Sequence, residues 1–502
     1  MVARAVHRAF AGMNGHRLAL VSMLAFVAVS GCGAGPVQFA RREPLWEDPD
    51  RQPFAGPPDD RYVADLWDAA DSLTLRPAVR ALALETSGES SNATALDEVA
   101  DSSWFENRIG RQEQSPARVA RGACREGDPG PTPPWQIISG KVDGATRGFA
   151  FEDAHGRRYL FKADRPEQPE QTTAADAIAA ALYHAAGYHV PCNRVVLFER
   201  EWVELEPGAM LDPTSGPERP MTDADVDQVF AVVRETDDGR LRGVASELFE
   251  GEPLGPWGYR DRWEPDLNDV VPHEDRRELR GMRMLNAWVD HWDARQLNTL
   301  STWAQDDEAR NAGHVEHHLV DFGETLGAIE YPHRAAIRFG RSQFLDFEHV
   351  VADFFTFGLV ARPWDTVARG PTWPLLGYYA AEGFDPEAWR PNYWNGAFER
   401  MTEHDAAWMA RIIARFRESH LREVARLGRF SDPAVEERLV EVLLARRQAI
   451  LERYLTRLSP LAWPVLEGER LCLEDLGISS GLRSAASREH TAELVRGPGA
   501  RR

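Results

Sequence analysis

The chain has 502 residues, an apolar fraction of 43 %, sixteen tryptophans and a formal net charge of −21. Its apolar content supports a large packed core and excludes a disordered chain; its length suits one large domain or two ordinary ones. The acid excess excludes nucleic-acid binding, which needs Lys and Arg clustered against phosphate.

The first residues carry Arg4, His7, Arg8, His16 and Arg17 and no acid; an apolar run from Leu18 to Val29 follows and closes on Val29-Ser30-Gly31-Cys32-Gly33. A basic start, an apolar stretch too short to span a bilayer and a small-residue cut site describe a signal peptide over 1–31. The cysteine at the cut resembles the lipobox of bacterial lipoproteins. That resemblance implies a diacylated Cys32 as the new first residue and a chain anchored in the cell envelope, and Gly33 in place of Asp points to the outer membrane. Later in the chain, no apolar stretch is long enough to cross a membrane.

Residues 32–60, rich in Pro, Asp, Arg and Gly, read as a flexible tether. The stretch 61–135 reads as an amino-terminal arm, with a short helix over Tyr62–Ala70. Beyond it the arm is loosely packed and polar, anchored by Trp104 and Phe105. From 136 the texture changes. Gln136–Ser139, Gly148–Glu152 and Arg158–Ala163 form a meander of short strands separated by glycine turns. Thr172–Ala186 is an Ala-rich helix with Thr172 or Thr173 as its cap and Gly187 as its stop. A strand over Arg194–Phe198 follows. The second half is helical. Asp275–Val289 carries a stripe of Leu279, Met282, Leu285 and Val289. Thr402 and Asp405 make a capping box; Ser431-Asp432-Pro433 starts a long helix. Residues 481–502 read as a frayed tail. After Cys32 only Cys124, Cys192 and Cys472 remain, so at most one internal disulfide forms, and no cysteine has metal-ligand spacing.

The helix ending at Val289 runs into Asp290-His-Trp-Asp293-Ala-Arg-Gln-Leu-Asn298, and a hairpin then delivers Asp321-Phe322-Gly323. An Asp, an Asn five positions on and a later Asp-Phe-Gly suit phosphoryl transfer. An acid must take the proton of the attacking hydroxyl, and an amide oxygen and a second carboxylate must hold a magnesium ion. Asp293 is the candidate base; Asn298 and Asp321 are the candidate metal ligands. Upstream, Lys162 lies in the apolar run Tyr159-Leu-Phe-Lys162. It is placed to hold nucleotide phosphates, with Asp176 the best acid to orient it and Glu170 just before the helix. The turn from Gly140 through Gly144 to Gly148 is placed to cover the phosphates, and Lys141 lies in that turn.

Residues 161–198, including Ala185-Ala-Gly-Tyr-His-Val-Pro191, together with Asp293, Asn298 and Asp321, resemble the atypical kinase-like group that contains the HipA-type and spore-coat CotH kinases. Within it, the likeness is to lipoproteins of myxobacteria, which share a stretch like Asp101-Ser-Ser-Trp-Phe-Glu-Asn-Arg108. The likeness covers roughly residues 100–460. It implies an α+β, two-lobed fold: a small, mostly antiparallel lobe over 136–260 and a larger helical lobe over 261–480. It also implies ATP and magnesium as cofactors and an acceptor that is a protein or a small molecule. The sequence departs from the group at Asp176, where Glu is usual, at His291-Trp292 in place of His-Arg, in the long gap from Asn298 to Asp321, and in lacking Gly-x-Gly-x-x-Gly near 140. An alternative is an inert binding module of the same shape. A hydrolase is the third reading, with His314, His317 and His318 as metal ligands or a Ser-His-Asp set. The histidines read better as core or solvent groups, because no third ligand has suitable spacing. Trp364, Trp373, Trp389 and Trp394 read as packing of long loops, with a partner groove as the alternative.

Overall fold

Alternation of side chains along a strand decides how the first sheet is built. In Arg158–Lys162, Tyr159 and Phe161 are buried, which turns Leu160 and Lys162 to the opposite face. The computed structural model describes residues 48–82, 88–94, 96–141, 147–211, 217–328, 347–360 and 375–490. In chain order the elements are β1 (Phe54–Ala55), α1 (Asp65–Ala70), α2 (Arg76–Leu82), α3 (Pro116–Arg121), β2 (Trp135–Lys141), β3 (Gly148–Glu152) and β4 (Arg158–Lys162). They continue with α4 (Gln171–Ala186), β5 (Asn193–Phe198), β6 (Val203–Leu211), β7 (Arg219–Pro220), α5 (Asp223–Phe230), β8 (Leu241–Glu247) and β9 (Glu252–Gly255). Then come α6 (Arg277–Val289), β10 (Thr299–Asp307), β11 (Ala312–Leu319), α7 (Phe347–Thr356), α8 (Glu403–Ala414), α9 (Glu418–Ala425), α10 (Pro433–Tyr454), β12 (Leu461–Glu467) and β13 (Arg470–Asp475).

The fold is α+β, with a sheet lobe and a helical lobe. The larger sheet runs β5-β8-β4-β3-β2-β6-β7. It is antiparallel except where β2 meets β6. Its buried face is aromatic: Trp135, Phe149, Phe151, Phe161 and Phe198 pack together with α5. A second sheet, β1-β11-β10-β9, lies at the start of the helical half. The helical core gathers α4, α6, α8, α9 and α10. Among the described residues no helix is long and apolar enough to cross a membrane.

Several sequence boundaries move. Half of the stretch read as tether is built into the fold: Asp48 pairs with Arg276 at 2.9 Å, Asp50 accepts from the Ser103 hydroxyl at 2.7 Å, and β1 joins β11. Two arginine-facing carboxylates outweigh the Pro and Gly content that suggested freedom. The arm is not loosely packed either, since Val99, Ser102, Ser103, Trp104, Phe105 and Ile109 are buried. Its helix starts at Asp65 rather than Tyr62. Helix α4, placed by sequence in the small lobe, is buried on every side and sits in the helical core. β9, assigned to the small lobe, belongs to the second sheet. Residues 481–490 are ordered, with Arg488 on Asp475 at 2.9 Å. Cys124 and Cys192 form the single disulfide, and Cys472 is free and exposed.

Candidate functional site

Lys162 ends β4 and projects from the face opposite the aromatic core, with its Nζ 2.8 Å from Asp321 Oδ1 and 3.6 Å from Asp176 Oδ2. The three groups come from a strand, a helix and a turn 159 residues apart in sequence at the widest. Asp176 reaches the lysine although it is a methylene shorter than Glu because α4 is lined with alanines and can approach closely. Its Oδ1 is fixed by Asn193 Nδ2 at 2.8 Å and by the Phe322 amide at 3.1 Å. Asp321 stands in the left-handed region (φ +60°), a conformation that costs most non-glycine residues and is often found at functional sites. Phe322 is buried against Tyr183, and the Cα of Gly323 lies so close to Thr172 that a β-carbon would come within 2.8 Å of its methyl. These two contacts pin the turn to α4.

Asn298 closes the other side. Its amide nitrogen donates to the Asp293 carboxylate and to the Asp293 carbonyl, each at 2.8 Å. The amide of Val320 donates to the Asn298 carbonyl at 3.0 Å, which ties this loop to the strand that delivers Asp321. Electrostatically the carboxylates differ. Burial pushes Asp293 up to about 7; Glu324 and Asp321 push the same way against Arg295 and the Asn298 hydrogen bond. Burial would also raise Asp321, but the charge and hydrogen bond of Lys162 outweigh it and hold this carboxylate below its ordinary value. Asp176, wholly buried, is raised by burial despite Lys162. Burial lowers His291 to about 4, so it is neutral beside Asp321.

Two residues escaped the sequence reading. Arg165 pairs with Glu324, three positions after Lys162 and Asp321 respectively, so two parallel ion pairs join the same two segments. The matched spacing Lys-x-x-Arg and Asp-x-x-Glu was the available signal. The cap of α4 was also misplaced. Thr172 and Thr173 lie inside the helix, and Asp164 accepts the Thr173 amide at 2.9 Å and its hydroxyl at 2.8 Å from outside.

Lys162 and Asp321 open onto a cavity of ≈ 670 Å³, a volume usual for small-molecule sites. Leu160, Phe249, Leu297, Leu300 and Val320 line it, as does the connection Leu248–Gly251 between β8 and β9. That connection joins the two sheets. The Asp321 side chain is 46 % exposed there. A larger cavity of ≈ 760 Å³, bounded by Arg121, Arg194 and Arg429, holds none of the predicted site residues. The Cα of Gly140 faces Met221 and Leu211 inside the sheet lobe, where a β-carbon would strike the Met221 sulfur at 2.7 Å. The position has room for no side chain unless Met221, just ahead of α5, moves. Gly144, the Lys141 side chain, Cys32, Trp364 and Trp373 lie outside the described residues. The Gly148 end of the turn does lie beside Lys162, its register partner.

The histidines do not converge. His314 contacts Asp306 and Glu316, His317 stacks on Trp104 at 3.5 Å, and His318 contacts Thr302 at 2.8 Å. Asp50, Ser103 and His317 do touch, but the serine is the middle group, with Oγ 2.7 Å from Asp50 and 2.9 Å from His317. A nucleophile triad needs the histidine in the middle. Among the described residues the one grouping of metal-type side chains, Asp128, Cys192 and Glu247, has its sulfur locked in the disulfide. Trp389 is buried and donates to Asp290 at 2.9 Å, a packing role.

No family model matches the chain, and no curated protein or solved structure matches it.

Proposed function

We propose that this chain is a lipid-anchored, kinase-like protein that binds a magnesium nucleotide and transfers its terminal phosphoryl group to an acceptor hydroxyl. One observation carries the reading: Lys162, held by Asp176, meets Asp321 at 2.8 Å on the wall of a cavity, and an Asp293–Asn298 pair is joined to the same strand end. The residues fit the cofactor. Both donations of the Asn298 amide nitrogen go to Asp293, which leaves its oxygen as a ligand atom, and the Asp321 carboxylate is a half-exposed oxygen group of the cavity wall beside Lys162. Asn298 and Asp321 would hold magnesium, which neutralises charge on the phosphate oxygens when bound.

The chain's own groups supply the rest. Lys162 binds phosphate as a fixed cation, and Asp176 keeps it aimed. Leu160, Phe249 and Leu300 take the base between apolar side chains. Asp293, in its ionised form, accepts the proton of the acceptor hydroxyl as the new oxygen–phosphorus bond forms and the bond to the bridging oxygen breaks.

The test is thermal unfolding of the full chain with and without magnesium and ATP. At a hundredfold excess over Kd, bound ligand adds about 2.7 kcal/mol, so the parent shifts upward and Asp321→Asn does not. Equal shifts in both would remove Asp321 from the metal site. A second reading, an inert binding module, draws on the Lys162–Asp321 contact, which occupies one oxygen of the metal carboxylate. A parent that shows the thermal shift but no phosphate transfer above the level of Asp293→Ala would favour it.

A further inference from the structure

Helices α1, α2 and α7 carry large apolar side chains that the rest of the fold leaves in solvent. On α1, Leu66 is 87 % exposed and Trp67 62 %; on α7 and just beyond it, Phe354 and Phe355 are each 75 %, Phe357 91 % and Leu359 85 % exposed. The elements are contiguous, since α7 packs on α2 and α2 follows α1 through one π-helical turn. Aromatic and leucine side chains gathered in this way mark an interaction surface, because scattered single exposures do not build such a cluster.

We propose that this face docks onto a lipid bilayer, the leaflet that holds the acylated Cys32. Three features choose lipid. The side chains are the Trp, Phe and Leu that settle at the boundary of headgroups and acyl chains. The sequence places Cys32 only sixteen positions before Asp48, the first described residue, and at about 3.5 Å per residue that chain reaches at most roughly 55 Å. Asp48, seventeen positions ahead of α1, therefore stays within that distance of the anchoring membrane. The basic group described beside the cluster, Arg76, is paired with Asp71 at 2.7 Å, and α7 has no basic group in its last turn, so no cluster of Lys and Arg lines the described face. The matching surface is a zwitterionic one, since anionic lipid recruits clustered Lys and Arg. Acyl chains supply the anchorage, and the face sets the orientation. Asp68 of α1 is 3.7 Å from Arg295 in the Asp293 loop. On the function proposed above, the acceptor side of the site then opens at headgroup level.

The experiment is amide hydrogen exchange on the full chain with and without excess phosphatidylcholine vesicles, beside the double variant Phe354→Glu/Phe355→Glu. Exchange should slow with vesicles in both Asp65–Leu82 and Phe347–Thr356, and the slowing should be lost over Phe347–Thr356 in the variant. Unchanged exchange within α6 verifies that the variant is folded. No slowing in either segment, although the chain sediments with the vesicles, overturns the proposal and leaves the amino end as sole anchor. Slowing that grows with protein concentration and needs no vesicles also overturns it, and assigns the face to a second copy of the chain. Magnesium–ATP stabilisation, read without vesicles on the same preparation, fails or holds independently.

Discussion

Asp293 couples stability to pH through its own neighbours. Burial, then the charges of Glu324 and Asp321, raise it to about 7, well above the value of an exposed aspartate. A carboxyl raised in the folded state favours the protonated form. Its stabilising contribution is full below about pH 4 and is lost as pH rises through 7. Each unit is worth about 1.4 kcal/mol, so the effect reaches a few kcal/mol. Asp293→Asn should therefore raise the melting temperature more at pH 8 than at pH 4.5, a difference measurable by calorimetry; a gain independent of pH would refute the assignment. On the proposed phosphoryl transfer, turnover uses the ionised base and should rise through the same window. The sequence showed these residues well because each follows a local rule: an Asp and an Asn on one loop, a lysine on the outward face of an apolar strand. The contact of Gly140 with Met221 was not legible, because a glycine that makes room for a Met221 sulfur looks the same in sequence as any other glycine in a turn.

At the scale of elements, helix starts were legible where the cap is local and illegible where it is not. Thr402 and Asp405 form the expected box at the head of α8, and Asp432 caps α10 before Pro433. The α4 cap comes from Asp164, outside the helix, and no local pattern in the helix itself announces it. Asp405 does more than cap: fully buried, it also meets Arg277 at 3.2 Å and Arg280 at 3.6 Å on α6. Removing one partner of a buried pair costs about 3–5 kcal/mol, because the other charge is left without compensation. Asp405→Ala should lose that much in urea unfolding, whereas an exposed cap would lose only about 1 kcal/mol; the smaller figure would mean that Arg277 and Arg280 find other partners. The burial of Asp48 and Asp50 was hidden for the same reason. Their partners, Arg276 and Ser103, lie far along the chain, and composition alone makes such a segment look like linker.

Across the whole molecule, the Cys124–Cys192 disulfide ties the arm to the start of β5, and the paired ionic contacts of Lys162 and Arg165 with Asp321 and Glu324 are among the ties between the larger sheet and the helical half. The disulfide spans 68 positions, and loop entropy assigns a closure of that length about 4 kcal/mol. Reduction should lower the melting temperature by several degrees, and an unchanged transition would show that the arm is held by its other contacts, such as Glu98 with Arg411 at 3.0 Å. Lobe composition was legible from texture, short strands first and helices after. The placement of α4 in the helical core was not, because an Ala-rich helix can be buried on any side and its sequence names no partner. The central claim is that Asn298 and Asp321 accept a metal beside a nucleotide held by Lys162. Calorimetric titration of ATP into the full chain, with magnesium and again with chelator, tests it most directly. Saturable binding that requires magnesium, and that Lys162→Ala weakens, is the expected result; isotherms that are the same with and without the metal, or no heat in either, would contradict it.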